Sequence, residues 1–170
     1  MVCLKKVGDD KMSDDEKMTL KEFHTKIAKQ TNNGIWPALD KENPTADELE
    51  EAIHMAHTAR YHWSKVGTPV NLVRAEYMIT RVYAHANRGE AALFHANRGY
   101  ELAKKAEKSD DNWKDWDMPF IYEALAKAHA AAGNKDDCKK WVEKAQKAID
   151  TIADDQDKQI CQGELDKVKC

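Results

Sequence analysis

The 170 residues of this chain are long enough for one domain with a substantial buried core. Charged residues make up 34% of the chain while glycine (7) and proline (4) are scarce, a composition typical of soluble helical proteins rather than of sheets. The formal net charge of −3 provides no overall positive field that could hold a nucleic acid.

The N-terminal region shows no targeting signal. It reads MVCLKKVGDDKMSDDEK, without an apolar run that could serve as a signal peptide, and no later segment resembles a membrane span. We therefore expect a cytoplasmic protein that contacts no membrane. We expect residues 1–12 to form a flexible arm and residues 13–170 to form a single helical domain.

The four cysteines are widely spaced and form no CxxC pair. In a reducing compartment such cysteines are expected to be free thiols, and their spacing matches neither a zinc site nor a redox motif. They are Cys3, Cys138, Cys161 and Cys170.

The first helix is predicted from a cap and a stop signal. Ser13 followed by Glu16 forms a capping box, and apolar residues then recur at helical spacing until residues 32–34, Asn-Asn-Gly, end the run. Residues 35–44 contain a tryptophan and two prolines, so we predict a loop that folds back onto a helix.

Helices two and three are predicted to form a tight hairpin. Thr45 and Glu48 make a second capping box, which opens a helix that runs to about residue 64. Thr68 caps the third helix, and Pro69 occupies its first position, where a missing N–H has no cost. This helix is expected to reach about residue 86.

Four more helices complete the predicted fold. The fourth spans about residues 90–107, and a polar segment leads to the fifth, which ends at Gly133 as a left-handed cap. The sixth spans about residues 136–152, and Asp154 caps a closing helix. About seven helices joined mostly by short turns predict an all-α fold of antiparallel helical hairpins.

The third and fourth helices can be aligned with the fifth and sixth. In this alignment the small residues and the turns coincide, with an offset of 46 residues, longer than the 34 residues of a tetratricopeptide (TPR) repeat. The aligned pairs are Tyr83 with His129, Asn87 with Gly133, Ala92 with Cys138, and Gly99 with Ala145.

Three segments resemble an uncharacterised prokaryotic family of small TPR-like proteins. They are FHTKIAKQTNNGIWPALDK, AHTARYHWSKVGTPVNLVRAEYMITRVYA and FIYEALAKAHAAAGN, and the resemblance spans about residues 22–153. It implies a right-handed superhelical array of hairpins in which the first helix of each pair lines a concave groove. It implies no assigned activity.

The groove implied by this resemblance is cationic with an aromatic floor. Arg74 and Arg81 share one stripe of helix three, and guanidinium groups bind carboxylates through two parallel hydrogen bonds. An acidic peptide or chain terminus is therefore the predicted ligand. Tyr77 and Phe120 would pack apolar side chains, while Lys127 would extend the positive strip. The predicted groove residues are Arg74, Tyr77, Arg81, His85, Phe120, Glu123 and Lys127.

A structural role for the two arginines is the alternative. Ion pairs between helices are common, and Arg74 and Arg81 could pair with acids of the preceding helix such as Glu50 or Glu51. In that case the arginines would stabilise the fold and bind no partner.

A second candidate site lies on helix two. Glu50, His54 and His57 fall on one narrow stripe, and two histidines with a carboxylate can hold a metal ion. The set is incomplete, because the chain contains neither the HExxH motif nor a second ExxH. Packing at a helix interface is the alternative for these side chains.

No motif for nucleophilic catalysis or phosphate binding occurs in the chain. We therefore predict a non-enzymatic protein-interaction module that needs no cofactor and binds a protein or peptide partner in its groove. The alternatives are a metal-binding or small-molecule-binding protein that uses Glu50, His54 and His57, or a self-associating structural subunit that forms a homo-oligomer.

Overall fold

The computed structural model describes residues 17–170, and every regular element within them is an α-helix. The predicted all-α fold is confirmed. The elements are α1 (Leu20–Gly34), α2 (Trp36–Leu39), α3 (Ala46–Val66), α4 (Pro69–His85), α5 (Gly89–Ser109), α6 (Asp117–Ala131), α7 (Lys135–Ile149) and α8 (Asp155–Leu165).

Predicted caps stand at the starts of three helices, α3, α4 and α8. Thr45 accepts a hydrogen bond from the backbone N–H of Glu48 at 3.2 Å, and the Glu48 carboxylate accepts one from the N–H of Thr45 at 2.7 Å. Pro69 is the first residue of α4. The Asp154 side chain accepts two backbone N–H groups at the start of α8. These local interactions satisfy amide groups that would otherwise lack a partner.

The first two helices differ from the prediction. Thr19 and Glu22 form the capping box that starts α1, whereas the predicted capping box at Ser13 and the predicted arm at residues 1–12 lie outside the described residues. Residues 35–44, predicted as a loop, include the single turn α2. This turn forms because Pro37 tolerates a first-turn position and Ile35 is fully buried beside it.

The α4–α5 and α6–α7 hairpins share the same turn. Asn87 and Gly133 both adopt left-handed backbone conformations, with φ of 55° and 76°. The N–H of Arg88 donates to the carbonyl oxygen of Tyr83, and the N–H of Asn134 donates to that of His129, each at 2.9 Å. This is the Schellman pattern that ends a helix. The aligned turns therefore have the same geometry, while the TPR-like arrangement of the whole chain stays a prediction.

Two hydrophobic cores hold the helices. The larger core runs from α2 to α6 and includes Ile79 and Leu125, both fully buried. The smaller core lies between α7 and α8 and includes Ile149 and Leu165. Phe120 packs against both cores. The closing helix α8 is thus attached mainly through the smaller core.

The prediction that the cysteines are free thiols is wrong for one pair. Cys138 and Cys170 form a disulfide, with a Cα–Cα distance of 5.7 Å and a sequence separation of 32. The prediction relied on sequence spacing and compartment, whereas the α7–α8 hairpin returns the end of the chain to the start of α7. Cys161 is a free, buried thiol, and Cys3 lies outside the described residues.

Within residues 17–170, no helix is both long enough and apolar enough to cross a membrane.

Candidate partner-binding groove

The predicted groove residues lie together on the facing surfaces of α4 and α6, which we call the α4–α6 groove. Helices α2 and α8 border it, and two cavities open along it. The aromatic cavity has a volume of about 480 Å³, and the basic cavity about 310 Å³. Arg74, Tyr77 and Phe120 line the aromatic cavity, His85 and Lys127 line the basic cavity, and Arg81 lines both.

Arg74 is bound to a carboxylate of this chain. Its Nε and Nη2 atoms donate to the two carboxylate oxygens of Asp117 at 2.8 and 2.9 Å, and its guanidinium lies 4.4 Å from the ring centre of Trp116. Asp117 is the first residue of α6 and is buried. This two-pronged pair therefore joins α4 to the start of α6. The Arg74 side chain stays 36% exposed at the cavity rim.

Arg81 is the most deeply buried cation of the groove. Its Nη1 donates to the Tyr77 hydroxyl at 3.0 Å and its Nη2 to Glu164 at 2.7 Å, while its guanidinium lies 5.0 Å from the ring centre of Trp36. Burial alone would lower the pKa of Arg81, but Tyr77 and the neighbouring acids raise it above its ordinary value. Burial also raises the pKa of Tyr77. Arg81 therefore stays charged.

Glu164 of α8 is the central carboxylate of the groove. It accepts hydrogen bonds from Arg81 at 2.7 Å, Lys167 at 2.6 Å and Lys127 at 3.3 Å. Burial alone would raise the pKa of Glu164, but the hydrogen bond from Lys167 and the charges of Arg81 and Lys127 lower it overall. One ionised carboxylate thus lies among three cations.

Glu123 lies beneath these cations with a fully buried side chain. Lys127 forms an ion pair with it, but no described residue donates a well-aligned hydrogen bond to either carboxylate oxygen. Burial raises the pKa of Glu123 despite the opposing charges of Lys127 and Arg81. We expect Glu123 to hold the Lys127 side chain in position through this ion pair and not to contact a partner.

The basic cavity continues the positive strip. Lys167 and Lys169 line it together with His85 and Lys127. Burial and the charges of Lys127 and Arg81 lower the pKa of His85. At neutral pH the cavity therefore carries its positive charge on lysine and arginine.

The arginines do not pair with the acids proposed as the structural alternative. Glu50 accepts a hydrogen bond from Arg88 at 2.6 Å. Arg74 pairs with Asp117 instead, and Arg81 pairs with Glu164. The alternative was right that both arginines form ion pairs within the chain and wrong about their partners. It relied on the nearest helix, but the partners come from α6 and α8.

Glu50, His54 and His57 do not converge on a common point. His54 is exposed and lies 3.9 Å from Glu50, while His57 lies 3.0 Å from the hydroxyl of Tyr83. Among residues 17–170, no group of three or more His, Cys, Asp or Glu side chains is arranged to hold a metal ion. The structure therefore offers no support for a metal site on α3.

A second charged cluster was not predicted. Glu76, 2% exposed, accepts hydrogen bonds from Arg60 at 2.8 Å, Arg98 at 2.9 Å and His95 at 2.7 Å. Burial alone would raise the pKa of Glu76, but His95 and Arg60 lower it overall. A glutamate within the apolar stripe of α4 was the signal for this cluster, since a buried acid requires cationic partners. The cluster joins α3, α4 and α5.

Comparison of the chain with protein-family models, curated proteins and solved structures finds no match. What bears on function is therefore the geometry of the described residues. The α4–α6 groove combines ion-paired arginines, the exposed residues Lys167 and Lys169, and an aromatic cavity. Such a surface can bind a segment that carries both an acid and an apolar side chain.

Proposed function

We propose that this protein is a non-enzymatic interaction module that binds an acidic segment of a partner protein in the α4–α6 groove. The observation that carries the proposal is the contact of Glu164 with Arg81, Lys127 and Lys167. This carboxylate is presented by a helix, and three cations, from α4, α6 and the turn that follows α8, converge on it. A carboxylate of a partner would meet the same chemistry.

The aromatic cavity supports a second anchor for the partner. Its floor carries Tyr77, Phe120 and Trp36, and its volume of about 480 Å³ accommodates one or two apolar side chains. Aromatic side chains in such pockets often dominate binding energy. The proposed ligand therefore has an apolar side chain close to an acidic one.

We further propose that the hairpins form a TPR-like array and that the protein works in the cytoplasm. The shared turn geometry at Asn87 and Gly133 supports the first proposal. The second has a consequence for the Cys138–Cys170 disulfide, because cytosolic disulfides are mostly transient or redox-sensing. On this proposal the bond would open and close with the redox state of the cell.

The test uses two matched charge removals. Lys127 and Lys104 each pair with a glutamate one turn earlier on the same helix, but only Lys127 lies at the groove. Proteins captured by the wild type from native cytoplasm are purified, and their affinities for wild type, Lys127→Gln and Lys104→Gln are measured.

We expect Lys127→Gln to weaken binding about tenfold and Lys104→Gln to leave it unchanged. The affinity for the wild type should also fall as the salt concentration rises. Equal affinities for the two variants would overturn the proposal. If sedimentation shows a concentration-dependent homo-oligomer instead and no partner is captured, the self-associating subunit becomes the better account.

A further inference from the structure

Helix α8 borders the groove and presents an acid to it, as a partner helix would. Glu164 reaches Arg81 and Lys127, and Ile160, one turn earlier on the same helix face, lines the aromatic cavity. Ile160 is nevertheless 51% exposed, so it does not fill that cavity. The chain thus presents its own acid to the groove and leaves the apolar anchor point largely open.

Helix α8 has a small apolar contact surface. It has 11 residues, only Cys161 and Leu165 among them are buried, and the Arg81–Glu164 ion pair links it to α4. Helices of this length are marginally stable without tertiary contacts. Its further contacts to α7 are polar, for example the reciprocal amide hydrogen bonds between Gln146 and Gln162 at 2.8 and 3.0 Å.

The disulfide fixes the far end of α8. A short connection, residues 150–154, joins α7 to the start of α8. Beyond the end of α8, Cys170 is bonded to Cys138 at the start of α7. The helix is therefore tied to α7 at both ends. Without the disulfide it would be tied at one end only.

We propose that an acidic amphipathic helix of a partner replaces α8 in the groove, and that reduction of the Cys138–Cys170 disulfide permits this exchange. This inference rests on the proposed function and names both its ligand class and its regulation. The partner helix carries an acid in place of Glu164 and, four residues before it, an apolar side chain larger than Ile160 that enters the aromatic cavity.

The reduction step needs a cellular dithiol as its reductant. Cys138 is buried and Cys170 is exposed, so a thiolate of the dithiol attacks the sulfur of Cys170. The sulfur–sulfur bond breaks, and Cys138 leaves as a thiolate that takes up a proton. The second thiol of the dithiol then displaces Cys170, which leaves as a thiol. The dithiol is oxidised to a disulfide, and two cysteines of this chain are reduced.

The experiment uses α8 itself as the probe. A fluorescent peptide of residues 154–168, with Cys161→Ser to prevent oxidation, is titrated into the full-length protein in oxidised and reduced form. A second peptide also carries Glu164→Gln. The protein variants are Cys170→Ser, which removes the disulfide, and Cys3→Ser, which keeps it and serves as the control. Burial raises the pKa of Cys161 to about 12, so this thiol is unreactive at neutral pH and is left unchanged.

We expect reduced wild type and Cys170→Ser to bind the peptide on the order of tenfold more tightly than oxidised wild type and oxidised Cys3→Ser. The Glu164→Gln peptide should bind more weakly. Equal affinity of oxidised and reduced protein would overturn the inference but leave the groove as a binding site. Absence of binding to every form would also overturn it, and the comparison of Lys127→Gln with Lys104→Gln would then judge the proposed function separately.

Hydrogen exchange provides a readout that does not depend on the Cys170→Ser variant folding. On reduction of the wild type, amides of α8 should exchange faster while those of α4 and α6 keep their rates. Unchanged protection of α8 after reduction would overturn the inference. Faster exchange throughout the chain would do the same, because it would show general unfolding in place of release of one helix.

Discussion

Replacing Glu76 by glutamine should destabilise the fold by about 3 kcal/mol. The carboxylate is buried and accepts hydrogen bonds from Arg60, Arg98 and His95 at 2.7 to 2.9 Å. Glutamine keeps the volume but removes the negative charge, and breaking a buried ion pair usually costs about 3 to 5 kcal/mol. We expect the lower value because the Arg98 side chain is 52% exposed and can turn towards water.

The assay is urea denaturation followed by circular dichroism, with Glu50→Gln as the matched control. Glu50 also pairs with one arginine, Arg88, but both side chains are about half exposed, so its loss should cost less than about 1 kcal/mol. The midpoint should shift for Glu76→Gln without a change in slope. A shift of equal size in the two variants would refute the reasoning, since it would show that burial of the carboxylate contributes nothing.

Three further predictions concern the disulfide, the histidines and a turn. Cys170→Ser should lower the free energy of unfolding by roughly 3 to 4 kcal/mol, because the bond spans 32 residues; wild type in reductant should match the variant in urea denaturation. Burial and the charge of His24, whose Nδ1 lies 2.9 Å from that of His62, lower the pKa of His62. As pH decreases through about 6.5, histidine takes up a proton more readily in the unfolded chain than at position 62 of the folded chain, so stability should decrease. This loss should be smaller in His62→Asn, and a pH profile of melting temperature that the substitution leaves unchanged would contradict the prediction. Gly133→Ala should cost about 1 kcal/mol in thermal unfolding through its positive φ alone, since nothing lies within 4 Å of the added carbon; an unchanged melting temperature would contradict this.

Local signals made the helices predictable. Thr45 with Glu48, Pro69, Gly133 and Asp154 all act within one helical turn, so their effects can be read from neighbouring residues. The turn α2 was missed because its stability comes from burial of Ile35 rather than from local propensity.

The residues that α4 and α6 contribute to the candidate site were predictable, but the acid from α8 was not. Helical spacing placed Arg74 and Arg81 on one stripe of α4, and the structure brings them to one groove with Phe120 and Lys127 of α6. The acid that lies among them, Glu164, was not predicted. It is 83 residues from Arg81, and its position depends on how α8 folds back over the groove.

The disulfide was missed for the same reason. Cys138 and Cys170 are separated by 32 residues, and their approach depends on the α7–α8 hairpin. The prediction of free thiols started from the expected compartment. Compartment predicts how often disulfides occur, but it does not predict which cysteines the fold brings together.

The most direct test of the groove as a partner-binding surface is site-specific photo-crosslinking in native cytoplasm. A photoreactive phenylalanine analogue replaces Phe120 of α6, which lines the aromatic cavity, or, as a control, the exposed Phe94 of α5. Mass spectrometry then locates the cross-linked peptide. The account predicts that position 120, and not position 94, links to a partner segment that carries an acid near an apolar residue. Identical adducts from both positions, or a segment without an acid, would contradict it.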